Sequence, residues 1–203
     1  MGNRTRGSGL TGVLPLLFIC GSFVFGGLLG CAFSAAVDSD TALQIKEYLT
    51  EYMFLAQSRQ LVWSVPAVFW NQGRWLLLCV LFGLSVFGVA VLPTLFAARG
   101  FLFVFSIGCF LRFLGNVGML PAVVLFGIPA LLWAPGMLIA GTISLSSSFR
   151  VLRDKGSGVI SLGGYGQAAR KSLVLSFLLF VLCVCLECGL LPRLLPIVAD
   201  ILA

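Results

Sequence analysis

The chain has 203 residues, of which 60% are hydrophobic and only 10% charged, against a charged share of roughly 25% in soluble domains. Its formal net charge of +6 would suggest nucleic acid in a soluble protein; here its distribution along the loops matters more, because positive charge marks the cytoplasmic side of a membrane protein. Histidine is absent, which removes the commonest general base and metal ligand. No carboxylates are placed to work together and no nucleophile stands beside a base, so no catalytic residue, cofactor or metal site is expected.

Residues 1–12 form a basic start, read as a cytoplasmic tail. Residues 13–37 make the first apolar run, too long for a cleaved signal core. Leu28-Leu29-Gly30-Cys31 has the look of a weak lipoprotein box, but apolar residues continue past it, so a retained helix is favoured. Residues 38–73 are the longest polar stretch, read as one extracytoplasmic amphipathic segment. Within it Ile45, Tyr48, Leu49, Tyr52, Leu55 and Ala56 recur at helical spacing, and Asp40 is the expected N-cap. That apolar face can lie on the membrane, pack on the other helices or receive a partner. Leu61 to Trp70, with Trp63, Phe69 and Trp70, reads as interfacial.

The stretch from Leu76 to Phe149 contains no acid or lysine and only Arg99 and Arg112 as basic residues. A water-soluble helix needs a polar face, and this segment has none to offer. With about 20 residues per crossing, the expected spans are 75–98, a tight turn at Arg99-Gly100, 100–116 and 119–148. The third is short and glycine-interrupted, so a re-entrant hairpin is its alternative. The fourth contains Pro121, Pro129 and Pro135, whose freed carbonyls would need neighbouring helices or the hydroxyls of Ser144, Ser146, Ser147 and Ser148. Residues 149–171 form a basic, glycine-rich cytoplasmic loop without a phosphate-binding motif. Residues 172–191 are the fifth crossing and 192–203 an apolar tail.

The fold expected is therefore all-α: a polytopic membrane protein with about five transmembrane helices and one amphipathic extracytoplasmic helix. With the N-terminus inside, the inner segments hold Arg4, Arg6, Arg99, Arg150, Arg153, Lys155, Arg170 and Lys171, and the outer ones hold every acid but Asp154. All seven cysteines (Cys20, Cys31, Cys79, Cys109, Cys183, Cys185 and Cys188) fall in apolar segments and read as buried thiols. The 24 glycines suit close helix packing and leave a homo-oligomer open.

Two ionisable groups fall at membrane depth on this reading. Arg112 lies roughly 18 Å along a helix starting at Gly100, and Glu187 roughly 22 Å along one starting at Ser172. An unpaired intramembrane charge is costly, so these two are expected to pair, either structurally or as part of an ion path.

The runs GFLFVFSIGCFLRFLGNVG (100–118) and LPAVVLFGIPALLWAPGMLIAGTISLSSSF (120–149) resemble the stage II sporulation protein M family. There, a short glycine-containing helix and an Asn/Gly turn lead into a proline-bearing helix with a serine-rich end. Arg112 and the cysteine-rich fifth helix depart from that pattern. The resemblance implies a non-enzymatic scaffold in the cell membrane at the sporulation septum. It would anchor a peptidoglycan amidase/endopeptidase and a lytic transglycosylase during septal wall thinning and engulfment. Its expected contact surface is the outward apolar face Ile45, Tyr48, Tyr52 and Leu55. The competing function is a permease or exporter subunit, whose binding sites use broken and glycine-interrupted helices.

Overall fold

The computed structural model describes residues 8–58, 64–153 and 167–202. Over these the chain is all-α: α1 (Ser8–Ala36), α2 (Ser39–Gln57), α3 (Val65–Gly83), α4 (Gly88–Leu114), α5 (Met119–Ala122), α6 (Ile128–Arg153), α7 (Gln167–Gly189) and α8 (Leu191–Leu202). A 3₁₀ turn (Gly115–Gly118) joins α4 to α5, and a π-helical turn (Val123–Gly127) joins α5 to α6. Five stretches are long and apolar enough to cross a bilayer: Val13–Ala36, Val65–Gly83, Gly88–Leu114, Met119–Arg153 and Ala169–Gly189. Helices are the natural solution there, since each backbone polar group must be satisfied within its own segment. The chain is thus a multi-pass membrane protein in contact with lipid, and large apolar side chains such as Phe25, Phe87 and Leu131 project from its surface.

The middle crossings differ from the sequence expectation. Arg99-Gly100 is not a turn, because α4 runs through it from Gly88 to Leu114. The reversal is made by residues 84–87, four residues between Gly83 and Gly88, closed by Leu84 N–H donating to Leu81 O and Gly88 N–H to Ser85 O. Gly100 serves packing instead of bending. A Cβ there would stand 2.1 Å from Phe23 O, and one at Gly26 would stand 1.8 Å from Ala97 O. Gly26, Gly30 and Ser34 repeat every fourth residue on α1, so one stripe of small groups meets the Gly100/Gly108 face of α4. This is close approach through small residues, the usual way to hold membrane helices together. The third crossing is consequently a full-length helix and not re-entrant. The second begins at Val65 and not at 75, taking Asn71, Gln72 and Arg74 with it.

α6 lies at the centre, packed on α7, α3, α1 and α4. The main core joins Ile19 of α1, Cys79 of α3, Leu92 and Phe96 of α4, Trp133 and Met137 of α6, and Cys183 of α7. At the serine-rich end of α6, Ser146 Oγ donates to Thr142 O of the same helix, and Ser144 Oγ is buried without a hydrogen-bond partner among the described residues. Ser148 Oγ instead donates to Phe82 O at the end of α3. Ser176 Oγ of α7 donates to Gly136 O, and Cys183 Sγ lies 3.6 Å from Pro129 O. These contacts tie α6 to α7; a proline frees the carbonyl about four residues before its own, so they do not answer Pro129 or Pro135.

α2 is capped by Asp38, two residues earlier than the expected Asp40. The Asp38 carboxylate accepts from Thr41 N–H at 3.3 Å. α2 rests on α8 and α4, and the apolar tail is itself a helix with Leu191, Leu195 and Val198 buried along one face. Much of the basic loop (154–166) and the first seven residues of the basic start lie outside the described residues.

Candidate functional site

The predicted pair does not form. Both terminal nitrogens of Arg112 donate to the end of α1, Nη1 to Ser34 O and Nη2 to Val37 O at 3.3 Å. The guanidinium therefore satisfies carbonyls that a helix C-terminus leaves without partners. The expected depth was wrong because its origin was wrong. Counted from Gly88, Arg112 is about 36 Å along α4, at the far edge of a ~30 Å hydrocarbon core, whereas Arg99 is about 17 Å along, near its middle.

Glu187 faces Arg99 instead, through an amide. Arg99 Nη2 donates to Gln72 Oε1 at 2.7 Å, and Gln72 Nε2 donates to Glu187 Oε1. Cys183 Sγ, one turn before Glu187 on α7, donates to the same Oε1 at 3.5 Å. The guanidinium carbon of Arg99 lies over two indole rings, 4.6 Å from the centroid of Trp133 and 5.1 Å from that of Trp75. Stacked cation–π contacts of this kind stabilise a desolvated guanidinium. Three spanning helices thus supply one connected polar chain: Gln72 from α3, Arg99 from α4 and Glu187 from α7.

This chain borders a cavity of about 360 Å³. Phe103, Ser106 and Phe110 of α4 form one wall, one, two and three turns beyond Arg99. The π-helical turn and the start of α6 give Leu125, Phe126, Pro129 and Trp133 as another. A π-turn shifts the register of the residues after it and is frequent at functional sites; here it directs Leu125 and Phe126 into the same space.

The cavity is bordered at one end by α2. Of the apolar face expected to receive a partner, Tyr48 and Tyr52 line the cavity. Ile45 packs against the second core cluster of Leu49, Cys109, Phe110 and Ala122, and Leu55 is half-buried. Burial, with Tyr48 alongside, pushes the Tyr52 phenol up to about 12. The face is therefore only partly covered: Ile45, Tyr52 and Leu55 are half-buried, and Tyr48 is 67% exposed. A helix beside a membrane bundle with an uncovered crevice buries its apolar stripe there, because that removes more apolar surface from water than leaving it free.

The residues that matter most here, Gln72, Arg99 and Trp133, were not singled out from the sequence. The signal was present: Arg99 sits in the middle of an unbroken apolar run once Gly83–Gly88 is taken as the turn, and an intramembrane arginine needs partners. No protein-family model, curated protein or solved structure matches the chain, and the stage II sporulation protein M resemblance gains nothing from those comparisons.

Proposed function

We propose that the chain is a permease-type membrane protein that binds a small solute in the cavity between α3, α4, α6 and α7. One observation carries this: a buried Arg99–Gln72–Glu187 chain borders a 360 Å³ space inside spanning helices. Ionisable groups at membrane depth are costly and are retained where they bind or conduct. The cavity is also of the size that small-molecule sites occupy. The broken rod from Met119 to Arg153 supplies its α6 wall, in keeping with transporters that place interrupted helices at their substrate sites.

In this reading the protein is not an enzyme, and its N-terminus is cytoplasmic. Arg150 and Arg153 close the fourth crossing, with Lys155, Arg170 and Lys171 beyond it, while Asp38, Asp40, Glu47 and Glu51 cluster around α2. The positive-inside rule then puts α2 and the near mouth of the cavity outside. A scaffold for septal wall hydrolases is the second reading, supported by the resemblance of 100–149 alone. Of the contact face it would use, Tyr48 is exposed while Ile45, Tyr52 and Leu55 are half-buried against the bundle.

Uptake into proteoliposomes separates the two. With labelled amino acids, organic acids, amines and sugars outside, at least one class is expected to accumulate, and Arg99→Gln is expected to abolish it. No accumulation of any class, together with co-purification of peptidoglycan hydrolases from the native membrane, would overturn the permease reading in favour of the scaffold.

A further inference from the structure

We infer that the ligand of this cavity is a zwitterion, an α-amino acid with an apolar or aromatic side chain. The inference rests on the solute-site reading and adds the chemical class. It comes from counting which polar atoms of the buried chain are already used. Arg99 spends Nη2 on Gln72, and its Nε is sealed off without a partner. Among the described residues its Nη1 has no hydrogen-bond partner and is not sealed. Glu187 takes both Gln72 Nε2 and Cys183 Sγ on Oε1, and among the described residues its Oε2 has no partner and is likewise not sealed. Each residue borders the cavity. One cationic donor and one anionic acceptor are thus left open on opposite ends of the Gln72 bridge.

Charge balance then selects the ligand. Arg99 and Glu187 neutralise one another, and the other polar groups at the cavity wall, Asn71, Gln72 and Ser106, are uncharged. The nearby Arg74 turns aside to Asn71 Oδ1 at 2.9 Å and stands over Trp75 at 5.7 Å. A simple carboxylic acid or a simple amine would bring an unbalanced charge into a low-dielectric site and leave one of the two valences empty, and both effects weaken binding. A zwitterion brings no net charge. Its carboxylate meets Arg99 Nη1 and its ammonium meets Glu187 Oε2.

The rest of the wall fixes the side chain. Phe103, Phe110, Phe126, Tyr48 and Tyr52 offer ring faces and edges and no further charge. At about 360 Å³ the space is near the lower end of the range for ligand pockets, which suits one amino acid and excludes a long peptide.

Three probes of one shape test this with the full chain in nanodiscs, by calorimetry: L-phenylalanine, 3-phenylpropionate (no ammonium) and phenethylamine (no carboxylate). L-phenylalanine is expected to bind roughly tenfold to a hundredfold more tightly than either analogue, since each lacks one charge-assisted hydrogen bond. Glu187→Gln is expected to abolish the preference over 3-phenylpropionate specifically. Arg99→Lys, which keeps the charge, is expected to retain more of the preference over phenethylamine than Arg99→Gln does. Melting curves of each variant distinguish lost binding from lost folding. If either analogue binds as tightly as L-phenylalanine, the zwitterion inference falls and a solute site remains. If none binds while proteoliposomes accumulate another class, the inference alone falls. If none binds and nothing accumulates, the inference and the permease reading fall together.

Discussion

Arg99 and Arg112 lie thirteen positions apart on one helix and do different work, and the difference is set by what each guanidinium can reach. Arg112 reaches the carbonyls of Ser34 and Val37 and closes the end of α1. Its replacement by alanine is expected to cost about 1 kcal/mol, as for other cations at helix C-termini. Because it does not touch Glu187, Arg112→Ala and Glu187→Ala should be additive within about 0.5 kcal/mol in a double-mutant cycle of unfolding in detergent. A larger coupling would restore the pair that the sequence suggested. Asp38 gives a prediction with a pH sign. Its hydrogen bonds to Thr41 hold the carboxyl below the usual carboxylate range, so the folded pKa is depressed. Its contribution is then present above the ordinary carboxylate pKa and lost as pH falls through the lower folded value. Asp38→Ala should therefore speed amide exchange at the start of α2 at neutral pH, with the difference from the native chain shrinking in acid.

Among the elements, the contact of α1 with α4 fixes how α4 is rotated, and hence where Arg99 points. At Gly26 and Gly100 the neighbour is backbone, which cannot swing away as a side chain can. Gly26→Leu or Gly100→Leu is expected to force the two helices apart, lowering the melting temperature by several degrees or more and displacing Arg99 from Gln72. Gly21 is the internal control on α1, since a Cβ there meets nothing within 4 Å. Gly21→Ala should be neutral or slightly stabilising, as expected for glycine in a helix interior. Gly115 is different again, with φ of +61° at the turn after α4. Alanine there should cost about 1 kcal/mol through backbone conformation. The order of melting temperatures across these four variants tests whether packing or conformation governs each glycine.

For the whole molecule, the cap made by α2 and α8 is a separate layer on the spanning bundle. Leu195 is 1% exposed on the buried face of α8, and α2 packs on that helix. Leu195→Ala is expected to cost about 2–5 kcal/mol in local stability. Hydrogen exchange should then rise together in α2 and α8 while α1 and α4 remain protected, because neighbouring packed elements open as a unit. Exchange rising uniformly across all helices would instead make the cap and the bundle one cooperative body.

The sequence by itself determined the fold class, the number of crossings and the existence of an amphipathic helix between the first two. Those follow from local composition: a run without a polar face has to meet lipid, and a 3.6-residue stripe has to meet something apolar. The 24 glycines announced close packing without saying which helix met which, and Gly100 read as a turn. The tertiary structure alone decided where α3 ends and α4 begins, that Glu187 answers Arg99 through Gln72, and that Tyr52 of α2 borders the cavity. A glycine next to an arginine reads alike whether it makes a turn or admits a neighbouring backbone. What tells the two apart is Phe23 of α1, some 77 positions earlier in the chain, pressed against Gly100. Pairing across the bundle depends on helix rotation and register, and these are fixed by contacts between residues far apart in sequence.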